Sequence, residues 1–564
     1  MMIVAFSSAI LFTWAVCGLT LIGTGSLILS PFGSDHSILS AFWVGLGGVV
    51  AGLEIYSITR PVDWIAPAFI ALVGLLGLLA NHQWFFGRLR SALGERSIAV
   101  WTCAVVAIAM RAAGPCEHYD TGLYGAAAVR WIESYRAVPG LANLHVRLGF
   151  NSSVFLCIAA MERGPWEAQA HHLFVGLLIS ALLAVCIPAM HRLFSGQTSS
   201  ASDWFCAILL VPAGAWAVSG TIVGTNTDIP TAVVALASAV YLMRELERDR
   251  RGTANGVIAS VLLSVAVCFK LSAIVFAVLA WTVLNVAVWY SSIQGRRKGN
   301  IIGCVAAPML ILTPWIVRGV LLSGYPFFPA PVFGSSASWR VSVNTARFWI
   351  AAMKAWAQTR TMTVQQGWPR LWLAKVASNR LDFQLPIILT VCGLGALFKN
   401  AEKAGRMLWI LAPAAAGILF WFLAEPDPRF GEFEIWTLAG ALAAFTAVSL
   451  QDRDSLRTRR ITILVIVMLA WYVIGLRRPW YAYRPLVQLR HLPGLPHARL
   501  ITRQTASGLT VYLPTKGEYQ CWNAPLPCTP YFDERLRLIR PPELNSGFVS
   551  DGKIACKGVD CSAH

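Results

Sequence analysis

The stretch from Arg111 to Tyr124 gathers Glu117, His118, Tyr119, Asp120 and Tyr124 directly after an apolar run that ends near Met110. Polar side chains are costly at the edge of such a run, so this density points to chemistry. A carboxylate placed there is partly desolvated, which raises its proton affinity and suits it to act as a general base, while a nearby Arg keeps it charged. Asp120 is the first candidate for that base. Asp is also a favoured helix N-cap, and residues 122–135 read as a helix, so capping is the competing role. Residues 138–153 then combine a Pro-Gly turn with His145, Arg147 and Asn151, which supply donors for hydroxyl and phosphate oxygens. His118, Asp120 and His145 could instead hold a metal, but the ligands are few and the spacing is not specific, so no metal site is assigned. Asn151-Ser-Ser153 also matches the N-glycosylation acceptor pattern, which frequently occurs by accident.

Further along, Lys270, Arg318 and Arg429 each fall at the expected outer end of an apolar block. Their long stems can stay in apolar surroundings while the cation reaches the depth of a lipid phosphate, and simple snorkelling is the alternative. Asp228 follows Gly224-Thr-Asn-Thr and opens a helix, which suits a second acidic group that positions an acceptor or a cation; capping is the more expected role. Tyr325, with Phe327, Phe328 and Pro329, could line a lipid or sugar groove.

The elements that must position these residues are membrane helices. The 564-residue chain is 56% hydrophobic and only 13% charged, against about a quarter charged in a soluble domain. Its apolar residues arrive in blocks of spanning length, for example 3–29, 70–80 with its flanks, and 461–476. No cleavable signal pattern opens the chain, so the first block reads as a retained helix. The expected fold is an all-α polytopic membrane protein with about fourteen transmembrane helices, each long enough to cross the ~30 Å hydrocarbon core. The net charge of +18 is scattered between apolar blocks and forms no basic stripe in a soluble domain, which argues against nucleic acid.

Basic clusters at Arg88, Arg90 and Arg96, at Arg244, Arg248, Arg250 and Arg251, at Arg296, Arg297 and Lys298, at Lys399, Lys403 and Arg406, and at Arg453, Arg457, Arg459 and Arg460 read as cytoplasmic connections. An even number of expected spans separates each successive pair, so one orientation satisfies them all, with both termini outside the cytoplasm. It places residues 114–170, 319–385 and the tail after Arg477 on the outer face. Cys521, Cys528, Cys556 and Cys561 lie in that tail, where an oxidising exterior permits disulfides of undetermined pairing. Residues 508–514 alternate like a strand and 523–530 read as proline-fixed loop, which suggests a small disulfide-braced β or α/β cap.

The run Tyr119-Asp-Thr-Gly-Leu-Tyr124, followed by Trp131 and by residues 139–153, resembles a subgroup of bacterial membrane proteins similar to the GT-C class of polytopic glycosyltransferases. The resemblance extends to residues 225–228, 269–272, 314–318, 323–329, 427–430 and 521–528. It implies that Asp120, in the first large exterior loop, is the base. It departs from the pattern in an N-terminal extension over residues 1–96 and in Gly125, where a His is expected after Tyr124. The implied organisation is an extension over 1–96, a catalytic region over 97–476 and an extracytoplasmic cap over 477–564. The implied function is inverting transfer of a sugar from a polyprenyl-phosphate donor to a glycan, lipid or protein acceptor at the outer face of a bacterial inner membrane. Lys270, Arg318 and Arg429 would bind the lipid phosphate, and Glu117, His118, Tyr119, Tyr124, His145, Arg147, Asn151, Asp228 and Tyr325 the substrates. No cofactor is assigned, and a divalent cation stays open because cations on the protein can stabilise a departing phosphate alone. A flippase of lipid-linked sugars and a non-enzymatic envelope assembly protein are the competing readings. The first would need paired inverted repeats with broken helices, and the sequence offers none.

Overall fold

The computed structural model describes residues 2–32, 36–195, 200–247, 254–293, 299–363, 365–449 and 491–550. The expected span at 461–476, the basic residues Arg248, Arg250, Arg251, Arg296, Arg297, Lys298, Arg453, Arg457, Arg459 and Arg460, and Cys556 and Cys561 lie outside the described residues.

The chain runs as α1 (Met2–Leu29), α2 (Ile38–Thr59), α3 (Ile65–Ala80), α4 (His82–Leu93), α5 (Ser97–Ala112), α6 (Ala126–Ser134), α7 (Ser153–Met161), α8 (Phe174–Phe194) and α9 (Ala201–Ala217). It continues through α10 (Asp228–Glu247), α11 (Asn255–Phe269), α12 (Ile274–Ile293), α13 (Gly299–Ser323), α14 (Val343–Thr359), α15 (Trp368–Ala377), α16 (Leu385–Ala404), α17 (Leu411–Ala424) and α18 (Glu432–Ser449). Four short strands follow: β1 (Leu500–Gln504), β2 (Thr510–Pro514), β3 (Leu536–Leu538) and β4 (Phe548–Ser550).

Among the described residues, six helices are long and apolar enough to cross a membrane: α1, α2, α8, α10, α12 and α13. The number rises to eight if each of two bent pairs counts as one span. Composition alone cannot see those bends. The apolar block of α3 continues into α4, but α4 departs at 84°, and α15 meets the helix after it at 105°. Four further apolar helices, α5, α9, α11 and α17, are shorter.

α9, α10 and α11 form the middle of the bundle, with nearly every residue buried. α1 and α2 belong to the same core. They touch backbone to backbone at Gly25, where an added Cβ would come within 1.8 Å of the Ala41 carbonyl oxygen, the kind of close approach that small residues allow between membrane helices. The Trp14 indole also donates to the Leu173 carbonyl at the start of α8, at 2.8 Å.

The two long connections expected outside are folded. Residues between α5 and α8 form a π-helical turn (Thr121–Gly125), α6, α7 and short 3-10 turns, and those between α13 and α16 form α14 and α15. The C-terminal segment carries two antiparallel ladders, β1 with β2 and β3 with β4. β2 lies within the expected strand at 508–514, with Val511 and Leu513 buried. Cys521 and Cys528 form a disulfide.

Candidate functional site

Asp120 sits where α5 has ended and the π-helical turn begins. Its side chain makes no capping hydrogen bond to that turn, which removes the capping role. It faces Arg429 instead, whose Nη2 lies 3.4 Å from Asp120 Oδ2. Arg429 reaches this point from a 3-10 turn, Pro428–Phe430, between α17 and α18, set by Asp427, whose side chain accepts the Arg429 N–H.

Asp228, at the start of α10, is the second partner. The sequence suggests it as the cap, but Asn226 holds that role: its Oδ1 accepts the N–H groups of Asp228 at 2.7 Å and Ile229 at 3.3 Å. The carboxylate of Asp228 is thereby left to ion pairs. Lys270 Nζ donates to its Oδ1 at 2.5 Å, and Arg429 Nε lies 3.8 Å from its Oδ2. Lys270 is delivered by an abrupt stop. α11 ends at Phe269, and Lys270 turns to extended backbone before α12 begins.

Asp120, Arg429, Asp228 and Lys270 thus form one chain of alternating charge, drawn from four segments far apart in sequence. Aromatic faces confine its cations. Phe430 lies 3.7 Å from Lys270 Nζ and 4.6 Å from the Arg429 guanidinium carbon, and Trp356 of α14 lies 5.1 Å from the latter. Burial works against the charge on Arg429, but Asp228 and Asp120 outweigh it and hold the guanidinium more firmly protonated than usual. Next to this chain, Asp427 gathers two more cations, Arg360 at 2.8 Å and Lys375 at 3.1 Å. Arg360 also stacks on Trp356, at 4.0 Å.

The remaining sequence candidates divide. His118 is buried six residues after the end of α5, with Nδ1 3.3 Å from Thr121 Oγ1. Burial lowers its pKa, against the pull of Asp120 and Asp228, so it faces the site as a neutral ring. Tyr124 is held among His145, Phe150 and Phe155. Arg147 donates to Tyr531 Oη at 3.1 Å. Burial opposes its charge, but Tyr531 and Asp120 keep it protonated. Tyr119 is half exposed, and Glu117 packs over Gly220 beside Arg111. His145 is structural: its Nδ1 accepts the Arg147 N–H at 3.1 Å.

Three expected site residues are not brought to this cluster. Arg318 is drawn inward, with Nε 3.9 Å from the fully buried Glu54 of α2 and Nη1 donating to Asn151 Oδ1 at 2.6 Å. Asn151 is committed on all sides, since its Nδ2 donates to the Trp315 carbonyl at 2.7 Å and its own carbonyl accepts the Trp315 indole at 2.7 Å. Ser153 Oγ donates to Glu54 at 2.5 Å. Tyr325 is buried in the second connection, where its hydroxyl donates to the Val341 carbonyl at 2.9 Å. Among the described residues, no group of three or more His, Cys, Asp or Glu could hold a metal ion. Asp120 and Asp228 present their oxygens to Arg429 and Lys270.

Sequence reasoning missed Trp356, Arg360 and Lys375, which nothing near Asp120 in the chain announces, and the reach of the C-terminal segment. Gly125, where a His is expected, is explained by packing: a Cβ there would meet Thr225 Oγ1 at 1.9 Å.

The arrangement offers a carboxylate in the loop after α5, a second carboxylate across Arg429 from it, and cations able to face an anion. No curated protein matches the chain. A family model described as a domain of unknown function (DUF8201) matches residues 8–436, from α1 to the start of α18 and across all four members of the charge chain, and the protein belongs to that family.

Proposed function

We propose that the protein is a GT-C-type membrane glycosyltransferase that moves a sugar from a polyprenyl-phosphate donor to a cell-envelope acceptor on the outer face of a bacterial inner membrane. The observation that carries this reading is the charge chain at the helix ends, where Asp120, Arg429 and Lys270 remain partly open while Asp228 is the most buried member. In the reaction, Asp120 takes the proton of the acceptor hydroxyl as that oxygen attacks the anomeric carbon. Arg429 and Lys270 stabilise the charge that grows on the departing lipid phosphate. Asp228 holds both cations in place. Attack opposite the phosphate inverts the anomeric carbon and needs no covalent enzyme intermediate.

The same reading puts the shorter apolar helices in the membrane beside the longer ones, for a total of about fourteen spans with the termini outside the cytoplasm. The near-complete burial of α9 and α11 supports it, because a helix shielded by neighbours need not match the bilayer by its own length.

The test is glycan transfer in membranes supplied with labelled polyprenyl-phosphate sugars. Asp120→Asn keeps the size of the side chain and removes the base. Transfer should fall by about 100-fold or more at unchanged protein abundance. Undiminished transfer by Asp120→Asn would remove Asp120 as the base and return the carrier and assembly readings.

A further inference from the structure

The main chain on both sides of Asp120 is gripped by the C-terminal cap. Gln520 Nε2 donates to the Tyr119 carbonyl at 2.9 Å, and the Trp522 N–H donates to the Gly122 carbonyl at 3.0 Å. The Trp522 indole lies on Gly122 so closely that an added Cβ would come within 2.6 Å of its ring. Arg130 of α6 then fastens the same cap segment, donating to the Asn523 carbonyl at 2.5 Å and to the Ala524 carbonyl. Trp522 has a φ of +44°, a region that bulky residues occupy only when their surroundings impose it. Trp522 lies in the short loop closed by Cys521 and Cys528 and docks onto Gly122.

Asp120 needs such a grip. Its carboxylate has no local capping bond, and its contact with Arg429 at 3.4 Å is too long to fix its direction alone. Below, Thr121 Oγ1 accepts the Thr225 N–H at 2.9 Å and ties the turn to the approach of α10. Above, cap residues hold the Tyr119 and Gly122 carbonyls, on either side of Asp120. These cap residues lie beyond the region that matches the family, which ends at residue 436.

We infer that Trp522 is a positioning residue for Asp120, and that the cap completes the site by clamping the 119–122 main chain from the outside. The inference rests on Asp120 as the base, but the clamp itself can be measured without any assay of transfer. Trp522→Gly removes the indole while keeping the N–H, and glycine accepts positive φ without strain. Gln520→Ala, a second and milder variant, removes only the bond to Tyr119. Hydrogen exchange of the full-length protein in lipid nanodiscs reads the clamp over residues 119–124. Exchange there should rise by about tenfold or more in Trp522→Gly and in wild type treated with a dithiol reductant, with α10 and α11 unchanged, and Trp522→Phe should restore protection. In the transfer assay kcat should fall while the KM for donor stays level. Unchanged exchange over 119–124 in both Trp522→Gly and Gln520→Ala would overturn the clamp. Raised exchange together with full transfer by Asp120→Asn would keep the clamp and overturn the base.

Discussion

Arg429 stands between two carboxylates, and its removal leaves Asp120 and Asp228 facing each other without a cation between them. Arg429→Met preserves bulk and deletes the charge. It should lower stability by about 1–3 kcal/mol, discounted because Arg429 remains partly exposed. Adding Asp228→Asn should recover part of that loss, a coupling of about 0.5–3 kcal/mol that thermal melts of the two single variants and the double variant would measure. Additive losses would mean that the two side chains do not sense each other. His145 gives a pH prediction at the same scale. Burial, with Arg147 beside it, lowers its pKa to about 3, below the value of about 6.5 for a free imidazole. The unfolded chain therefore binds the proton first as pH falls. The stability that the neutral ring contributes is complete above about pH 6.5 and drains at about 1.4 kcal/mol per unit toward the folded value. Wild type should melt lower at about pH 5.5 than at about pH 7.5, and His145→Asn should show a shallower dependence.

At the scale of elements, the site depends on where helices start and stop. Asn226→Ala removes the cap of α10 and should cost about 1 kcal/mol, while Asn226→Asp should be nearly neutral in a melting experiment. Gly125→Ala drives a methyl into Thr225 and should cost about 1–3 kcal/mol through overpacking. The members of the charge chain were legible in the sequence, though their pairing was not, because Asp120, Asp228, Lys270 and Arg429 lie at the ends of apolar blocks, where charges seldom occur without a role. Arg318 carries the same signal and went elsewhere. Its partner, Glu54, lies inside an apolar block some 260 residues earlier in the chain, and no local pattern links the two. Trp356, Arg360 and Lys375 were illegible for a related reason: they come from amphipathic helices that only tertiary packing brings over Arg429. Helix breaks were equally hidden, since α3 and α4 read as one apolar-to-basic block until the 84° bend separates them.

For the molecule as a whole, the proposed orientation puts the cap and α4 on opposite sides of the membrane. With the exposed Cys103 and Cys392 replaced by Ser, Lys516→Cys should react with a membrane-impermeant maleimide in spheroplasts, and Arg90→Cys should react only after the membrane is opened. The reverse pattern would invert the topology and place Asp120 on the cytoplasmic side. The lock around Asn151 bears on how the protein can be made. Its amide joins Arg318 and Trp315 in the interior, yet Asn151-Ser-Ser153 reads as a glycan acceptor. In a eukaryotic secretory host, a glycan attached to Asn151 before folding would occupy the space where three helices must close. Molecules carrying that sugar would then be the ones that never finished folding, and the unmodified band would mark the native protein.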